Sequence, residues 1–200
     1  MLICVLSILL TFTSDKLLNL SELYYNSLAS NLSENVLDEI IRIQKKIFWI
    51  SYAIIPAILL LKLSIISALL FMPAYLLNFK IRYAQMFNLV LKAEFLFLGV
   101  GALKIIWFYF YTENYTLQEY QYFYPLSVLN IVGYENIDAW WIYPFQTLNL
   151  FELAYWFILA YLIGKILNIS MDRGFKMVLS SYVPFLFTWI VTIMFFTLNN

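Results

Sequence analysis

Residues 48–77 form a run of about 30 with a single charge, Lys62, and a run of that length and character does not fit the core of a water-soluble domain. At a rise of ~1.5 Å per residue, such a helix is longer than the ~30 Å hydrocarbon thickness of a bilayer. Further apolar runs occupy residues 1–13, 86–110, 144–167 and 175–198. Composition agrees, since 64% of the chain is hydrophobic and 12% charged, where soluble domains carry roughly 25% charged residues. The mean hydropathy is +0.80. The expected fold class is all-α: a polytopic transmembrane helix bundle of about five spans, one integral membrane domain over residues 1–200, with outer loops at residues 14–47 and 111–143.

The first span is the shortest. Residues 1–13 are brief for a crossing and have no basic residue ahead of them, so a truncated first helix is the expectation. A secretory signal peptide is the rival reading, but the positive n-region and a small-residue cleavage site are both missing. Residues 14–47 are the most polar stretch and contain no glycine or proline. Ser33 can cap a helix with Glu34 in its first turn, and Val36, Ile40, Ile43 and Ile47 recur on one face, with Lys45 and Lys46 near the far end. An amphipathic helix on the membrane surface that runs into the next span, and a solvated connector packed on its own protein, both fit this pattern. In residues 48–77, Pro56 and Pro73 are candidate kinks.

Charge sets the orientation. Lys80, Arg82, Lys165, Arg173 and Lys176 flank the two short turns, which hold one acid, Asp172; the two long connections hold nine acids and four bases. The positive-inside rule places the short turns and the N-terminus in the cytoplasm and the C-terminus outside. Overall, 12 Lys and Arg balance 12 Asp and Glu, so no basic excess favours nucleic acid. Histidine is absent and Cys4 is the single cysteine, which removes imidazole chemistry, an internal disulfide and a cysteine metal site. No glycine-rich phosphate loop and no zinc-protease motif occurs, so no catalytic residue, metal or cofactor is expected.

The second half of the chain can be laid over the first. Residues 66–78 read ISALLFMPAYLLN and residues 156–168 read WFILAYLIGKILN. Each ends in aliphatic-Leu-Asn, and each is followed by a basic turn and a span opening with Phe and a Val-Leu pair: Phe87, Val90 and Leu91, then Phe175, Val178 and Leu179. A parallel duplicated hairpin is one explanation, and chance likeness between apolar sequences is the other.

The alignment sets Lys62 opposite Glu152, at one depth, with Lys104 at a similar level of the outer half. A charge at a helix centre costs ~3 kcal/mol on insertion scales, so Lys62 and Glu152 are expected to pair or to line a hydrated pocket, with Lys104 snorkelling outward. Glu94 shares a face with Phe97, Leu98 and Gly101, which turns it toward the bundle. It is either a proton carrier or a satisfied interior acid, with Tyr182, at the matching repeat position, as its expected hydrogen-bond donor. The candidate intramembrane polar cluster is thus Lys62, Glu94, Lys104, Glu152 and Tyr182. In the aromatic loop, Tyr134, Trp140, Trp141 and Tyr143 suit an interfacial belt, with Pro125, Gly133 and Pro144 breaking it into short half-helices. A cap on the outer leaflet and a ligand groove are both open there.

The string from Lys176 through Ser180, Ser181 and Tyr182 to Pro184, following a basic turn, resembles a segment of Yip1-type membrane proteins, in which a lysine-containing turn leads into a helix opening with a Tyr-Ser-x-x-Pro-like sequence. That resemblance covers about the second half of the chain and implies five spans, an inside N-terminus and an outside C-terminus. The outer loops depart from the family's compact form, as does the want of a long cytoplasmic region before the first span. The Phe-, Ile- and Asn-rich whole also resembles uncharacterised inner-membrane proteins of Bacteroidota. Neither resemblance implies a reaction. The expected function is a non-enzymatic inner-membrane accessory, scaffold or assembly component, held by the lipid bilayer and by a membrane-protein partner or a second copy. The alternative is a small permease or flippase with a polar path through the bundle; an intramembrane enzyme ranks below both.

Overall fold

The computed structural model describes residues 2–29, 34–112, 114–135 and 137–199. Ser33, the expected helix cap, lies outside the described residues, as do the side chains of Glu34, Lys45, Lys46 and Ile47. The described residues are helical: α1 (Leu2–Leu17), α2 (Leu20–Ala29), α3 (Glu34–Leu76), α4 (Tyr83–Tyr111), α5 (Leu117–Tyr122), α6 (Val128–Val132), α7 (Ala139–Thr147), α8 (Leu150–Leu167) and α9 (Met171–Leu198). Among them no strand occurs, only an isolated bridge between Ser127 and Asn149.

Three of these helices are long and apolar enough to cross a membrane: α3 over Tyr52–Leu76, α8 and α9. The pair α1 and α2, bent by 59° at its break, makes a fourth if it is one span. α4 carries Lys92, Glu94 and Lys104 along its 29 residues and is not among them. The polytopic, all-helical reading therefore holds, while the boundaries differ from those expected. The described residues of 14–47 are largely helical, as expected for the second half of that connection, and the helix is interrupted at Asn19 between α1 and α2. The helix expected over the second half of this stretch runs without a break into the next span as α3, with Pro56 and Pro73 inside it. The span expected at residues 144–167 starts at Leu150, where Asn149 caps α8 by accepting a hydrogen bond from the Glu152 N–H at 2.8 Å. Pro144 does not break the chain but sits within α7.

Helix ends follow from local chemistry. Asn19, Asn78 and Asn168 all take the left-handed conformation, with φ of 49°, 59° and 53°, just after α1, α3 and α8. Asparagine tolerates that region better than other residues with a side chain, which makes it a natural helix stop. After Asn168, Ser170 caps α9 by accepting from the Arg173 N–H.

The chain divides into two compact units. The first comprises Met1–Leu60 and Gly101–Gln121. There Leu10 lies so close to Gly101 that an added Cβ would stand 2.8 Å from its Cδ2, so α1 rests on the glycine face of α4. The Ser14 hydroxyl bonds the Tyr120 hydroxyl at 2.6 Å, the Tyr115 hydroxyl donates to the Leu18 carbonyl at 2.9 Å, and Phe108 stacks edge-on against both tyrosines.

The second unit comprises Leu61–Val100 and Tyr122–Asn200. Its core is built from helical stripes: Leu63, Ile66 and Leu70 of α3; Met86, Val90 and Ala93 of α4; Tyr155, Leu159 and Ile163 of α8; Val178 and Tyr182 of α9. α8 and α9 form the tightest hairpin, since a Cβ on Gly174 would collide with the Ala160 carbonyl oxygen. α7 packs on α9, where the Trp189 indole donates to the Tyr143 hydroxyl at 2.9 Å.

Backbone cannot yield to an added methyl as a side-chain tip can. Gly174→Ala should therefore cost about 1–3 kcal/mol as an overpacked contact. Gly99→Ala, with nothing within 4 Å of its Cβ, should hold or gain up to ~1 kcal/mol of helix propensity. Thermal unfolding of both variants in one detergent checks this, and an equal shift in the two would refute the close approach.

Candidate functional site

The second unit's buried stripe on α4 contains one carboxylate. Glu94 follows Met86, Val90 and Ala93 on the inward face and is 4% exposed. The Lys62 ammonium, from α3, meets its Oε1 at 2.5 Å. Lys62 keeps its side chain 43% exposed and lies over the Phe97 ring at 4.4 Å from the centroid. A half-exposed lysine thus reaches inward to a sealed acid, with an aromatic face beneath the ammonium. Glu94 Oε2 accepts a longer bond, 3.4 Å, from the hydroxyl of Tyr155 on α8.

Glu152 is met by neutral donors instead. Its Oε1 accepts from the Tyr182 hydroxyl at 2.7 Å and from the Trp156 indole at 2.9 Å. Standing in the first turn of α8, it also feels the positive end of that helix. The rings of Tyr155 and Tyr182 cross edge-to-face at 5.7 Å and join the two acid sites into one buried cluster. The loop residue Tyr124 belongs to the same field: burial pushes its hydroxyl pKa above the ordinary 10.0, and the charges of Glu152 and Glu94 push it further.

Two expected partnerships are therefore exchanged. Lys62 pairs with Glu94 and not with Glu152, and Tyr182 serves Glu152 and not Glu94. The reason is geometric: α3 presents Lys62 to α4, while Glu152 and Tyr182 face each other across the α8–α9 hairpin. Tyr155 and Trp156 were missed. Trp156 was legible as the i+4 neighbour of Glu152, whereas Tyr155 reads as an ordinary core aromatic until its hydroxyl is placed. Lys104 lies in the first unit, its ammonium 4.2 Å from the centroid of the Tyr120 ring.

A groove of about 560 Å³ opens among α6, α8 and α9, and Glu152 lines it while Lys62 and Glu94 do not. Its α6 edge is fixed by backbone bonds from the Val128 N–H to the Leu148 carbonyl and from the Leu150 N–H to the Leu126 carbonyl. The expected break at Gly133 is present, with φ of 79°, and ends α6. No group of metal-ligating residues occurs among the described residues. No known family model, curated protein or solved structure matches the chain.

Removing the two members of the ion pair should have unequal costs. Lys62→Met strands a sealed carboxylate and should lower stability by about 3 kcal/mol, whereas Glu94→Gln leaves a lysine that can turn outward and should cost about 1 kcal/mol. The double variant should recover most of the loss. Unfolding in detergent reads all three, and equal or additive losses would show that the pair does not hold the helices.

The alkaline limb reports on Tyr124. Because its folded pKa is raised, the unfolded chain releases the proton first as pH climbs past the ordinary 10.0. Its stabilising contribution is thus present below about pH 10 and lost above it. Stability should fall more shallowly between pH 9 and 11 in Tyr124→Phe; an unchanged slope would remove Tyr124 from the field of the two acids.

Proposed function

We propose that the chain is a non-enzymatic inner-membrane protein acting as an accessory, scaffold or assembly component of a membrane complex. The observation that carries this reading is the way its costly charges are engaged: Glu94 by Lys62, Glu152 by Tyr182 and Trp156. Charges locked in this way hold helices together and leave no continuous polar lining for cargo. Outside the core, large apolar side chains such as Phe110, Phe157, Phe187 and Phe195 remain exposed on several helices, which suits lipid and a partner's helices.

In this reading the bundle has five crossings, with the bent pair α1–α2 as the first and α4 as the third. α4 carries Lys92, Glu94 and Lys104, and pairing Glu94 internally lowers the cost of carrying them across. The exposed Lys80, Arg82, Lys165, Arg173 and Lys176 beside the α3–α4 and α8–α9 turns favour a cytoplasmic N-terminus and an outer C-terminus. The partner is a membrane protein or a second copy of the chain.

A permease or flippase is the second reading, favoured by the one groove that Glu152 lines. Transport would need the other charges to share that lining. Purification from the native membrane in mild detergent, followed by mass spectrometry, should return a reproducible stoichiometric partner or a stable homo-oligomer. A monomer free of any partner, with flux in proteoliposomes that Glu94→Gln and Lys62→Met abolish, would replace the scaffold with the permease.

A further inference from the structure

An apolar groove with one ionisable group restricts the chemistry of its guest. Ile131, Leu148, Leu153, Trp156 and Phe187 supply the walls, and Glu152 is the one titratable residue in the lining. Oε1 of Glu152 already accepts two hydrogen bonds. Oε2 accepts none from the described residues; since no buried side-chain polar atom among them lacks a partner, Oε2 is reachable from outside. The neighbouring amides and hydroxyl are engaged elsewhere: Asn130 donates to the Tyr124 carbonyl, Asn149 to those of Gln146 and Thr147, and Thr147 to that of Tyr143. The one charged group the groove offers a ligand is therefore the Glu152 carboxylate, through Oε2, in largely apolar surroundings.

Charge and size narrow the guest further. No lysine or arginine lines the groove, and Lys62 of α3, the cation whose charge reaches Glu152, is bound to Glu94, so an anionic head finds no uncommitted cation here. A helix, ~10–12 Å across with its side chains, would fill 560 Å³ with about one turn. The volume falls instead in the ~300–1,000 Å³ range of small-ligand sites.

We propose that this groove binds a lipid amine, an amphiphile whose ammonium meets Glu152 Oε2 and whose hydrocarbon chain lies along Leu153, Trp156 and Phe187. The site needs neither a protein partner nor transport, so it stands apart from the scaffold reading. It also gives the uncovered apolar floor between α8 and α9 an occupant from the membrane itself.

The full chain, reconstituted in phosphatidylcholine vesicles at pH 7, tests this with two spin-labelled probes of equal chain length, octadecylamine and octadecanol. Electron paramagnetic resonance reads the motionally restricted fraction of each. The wild-type protein should retain the amine at least about fivefold over the alcohol. Glu152→Gln, which keeps an acceptor for Trp156 and Tyr182, should bring that ratio near one with the alcohol unchanged. Leu153→Trp, which fills the groove and leaves Glu152 in place, should lower the restricted fraction of both probes; it decides the matter alone if Glu152→Gln does not fold. A wild-type ratio near one, a ratio that survives Glu152→Gln, or amine retention indifferent to Leu153→Trp overturns the proposal. So does a photocrosslinker at Leu153 that captures a co-purified polypeptide in place of the amine, which would assign the groove to a protein.

Discussion

The Lys62–Glu94 contact governs how the second unit is built. A carboxylate sealed among Met86, Val90 and Ala93 has no water to bond, and an unanswered charge there would cost more than any single apolar contact returns. Lys62 answers it from α3 while keeping much of its side chain exposed. That asymmetry lets one helix carry the desolvated charge and the other the adaptable one. It also fixes rotation, because α3 and α4 can turn about their axes only as far as a 2.5 Å contact permits. The stripe of Leu63, Ile66 and Leu70 then has a defined face to meet, and apolar packing among interchangeable Leu and Ile side chains acquires a register.

The α8–α9 hairpin reaches the same end by other means. Asn168 stops α8 in the left-handed conformation, Ser170 restarts the chain as α9, and Gly174 lets α9 settle against the Ala160 carbonyl. That approach brings Tyr182 to Glu152 across the hairpin at 2.7 Å. The acid at the far end of α8 is thus satisfied because the turn at its near end is tight. A local backbone device at Asn168 and a polar contact about four turns away, by the ~3.6-residue period of the helix, are two consequences of one close packing.

How much of this was legible depended on the range of each interaction. Apolar runs gave α3, α8 and α9, since length and hydropathy are properties of a segment by itself. Helix stops were visible as Leu-Asn, and the same left-handed asparagine follows α1 at Asn19, outside the two matched segments. The shared endings of residues 66–78 and 156–168 follow from capping chemistry, which accompanies a duplicated hairpin and a chance likeness alike. In residues 14–47 the helix of the second half was legible from its apolar spacing, whereas the helical first half was not, because its polar residues show no such period. At the site, the burial of Glu94 and the i+4 relation of Trp156 to Glu152 lie within one helix and could be read. The partner exchange could not, because which face of α3 meets α4 is decided by packing summed over both helices.

The aromatic richness of the chain, 16 tyrosines and six tryptophans with no histidine, has a physical counterpart in the cluster. Tyr155, Tyr182 and Trp156 deliver O–H and N–H donors to two buried acids without adding a second charge to the interior. A phenol or indole brings a large apolar body and one polar tip, which suits a site that is otherwise hydrocarbon. Tryptophan's N–H only donates, so a chain of hydrogen bonds that reaches Glu152 Oε1 through Trp156 ends there and cannot pass a proton on. Tyr182, facing the same oxygen, spends its own proton on that bond. Such a network fixes the positions of the side chains around Glu152 Oε1, and it leaves Glu152 Oε2 without a hydrogen bond from the described residues.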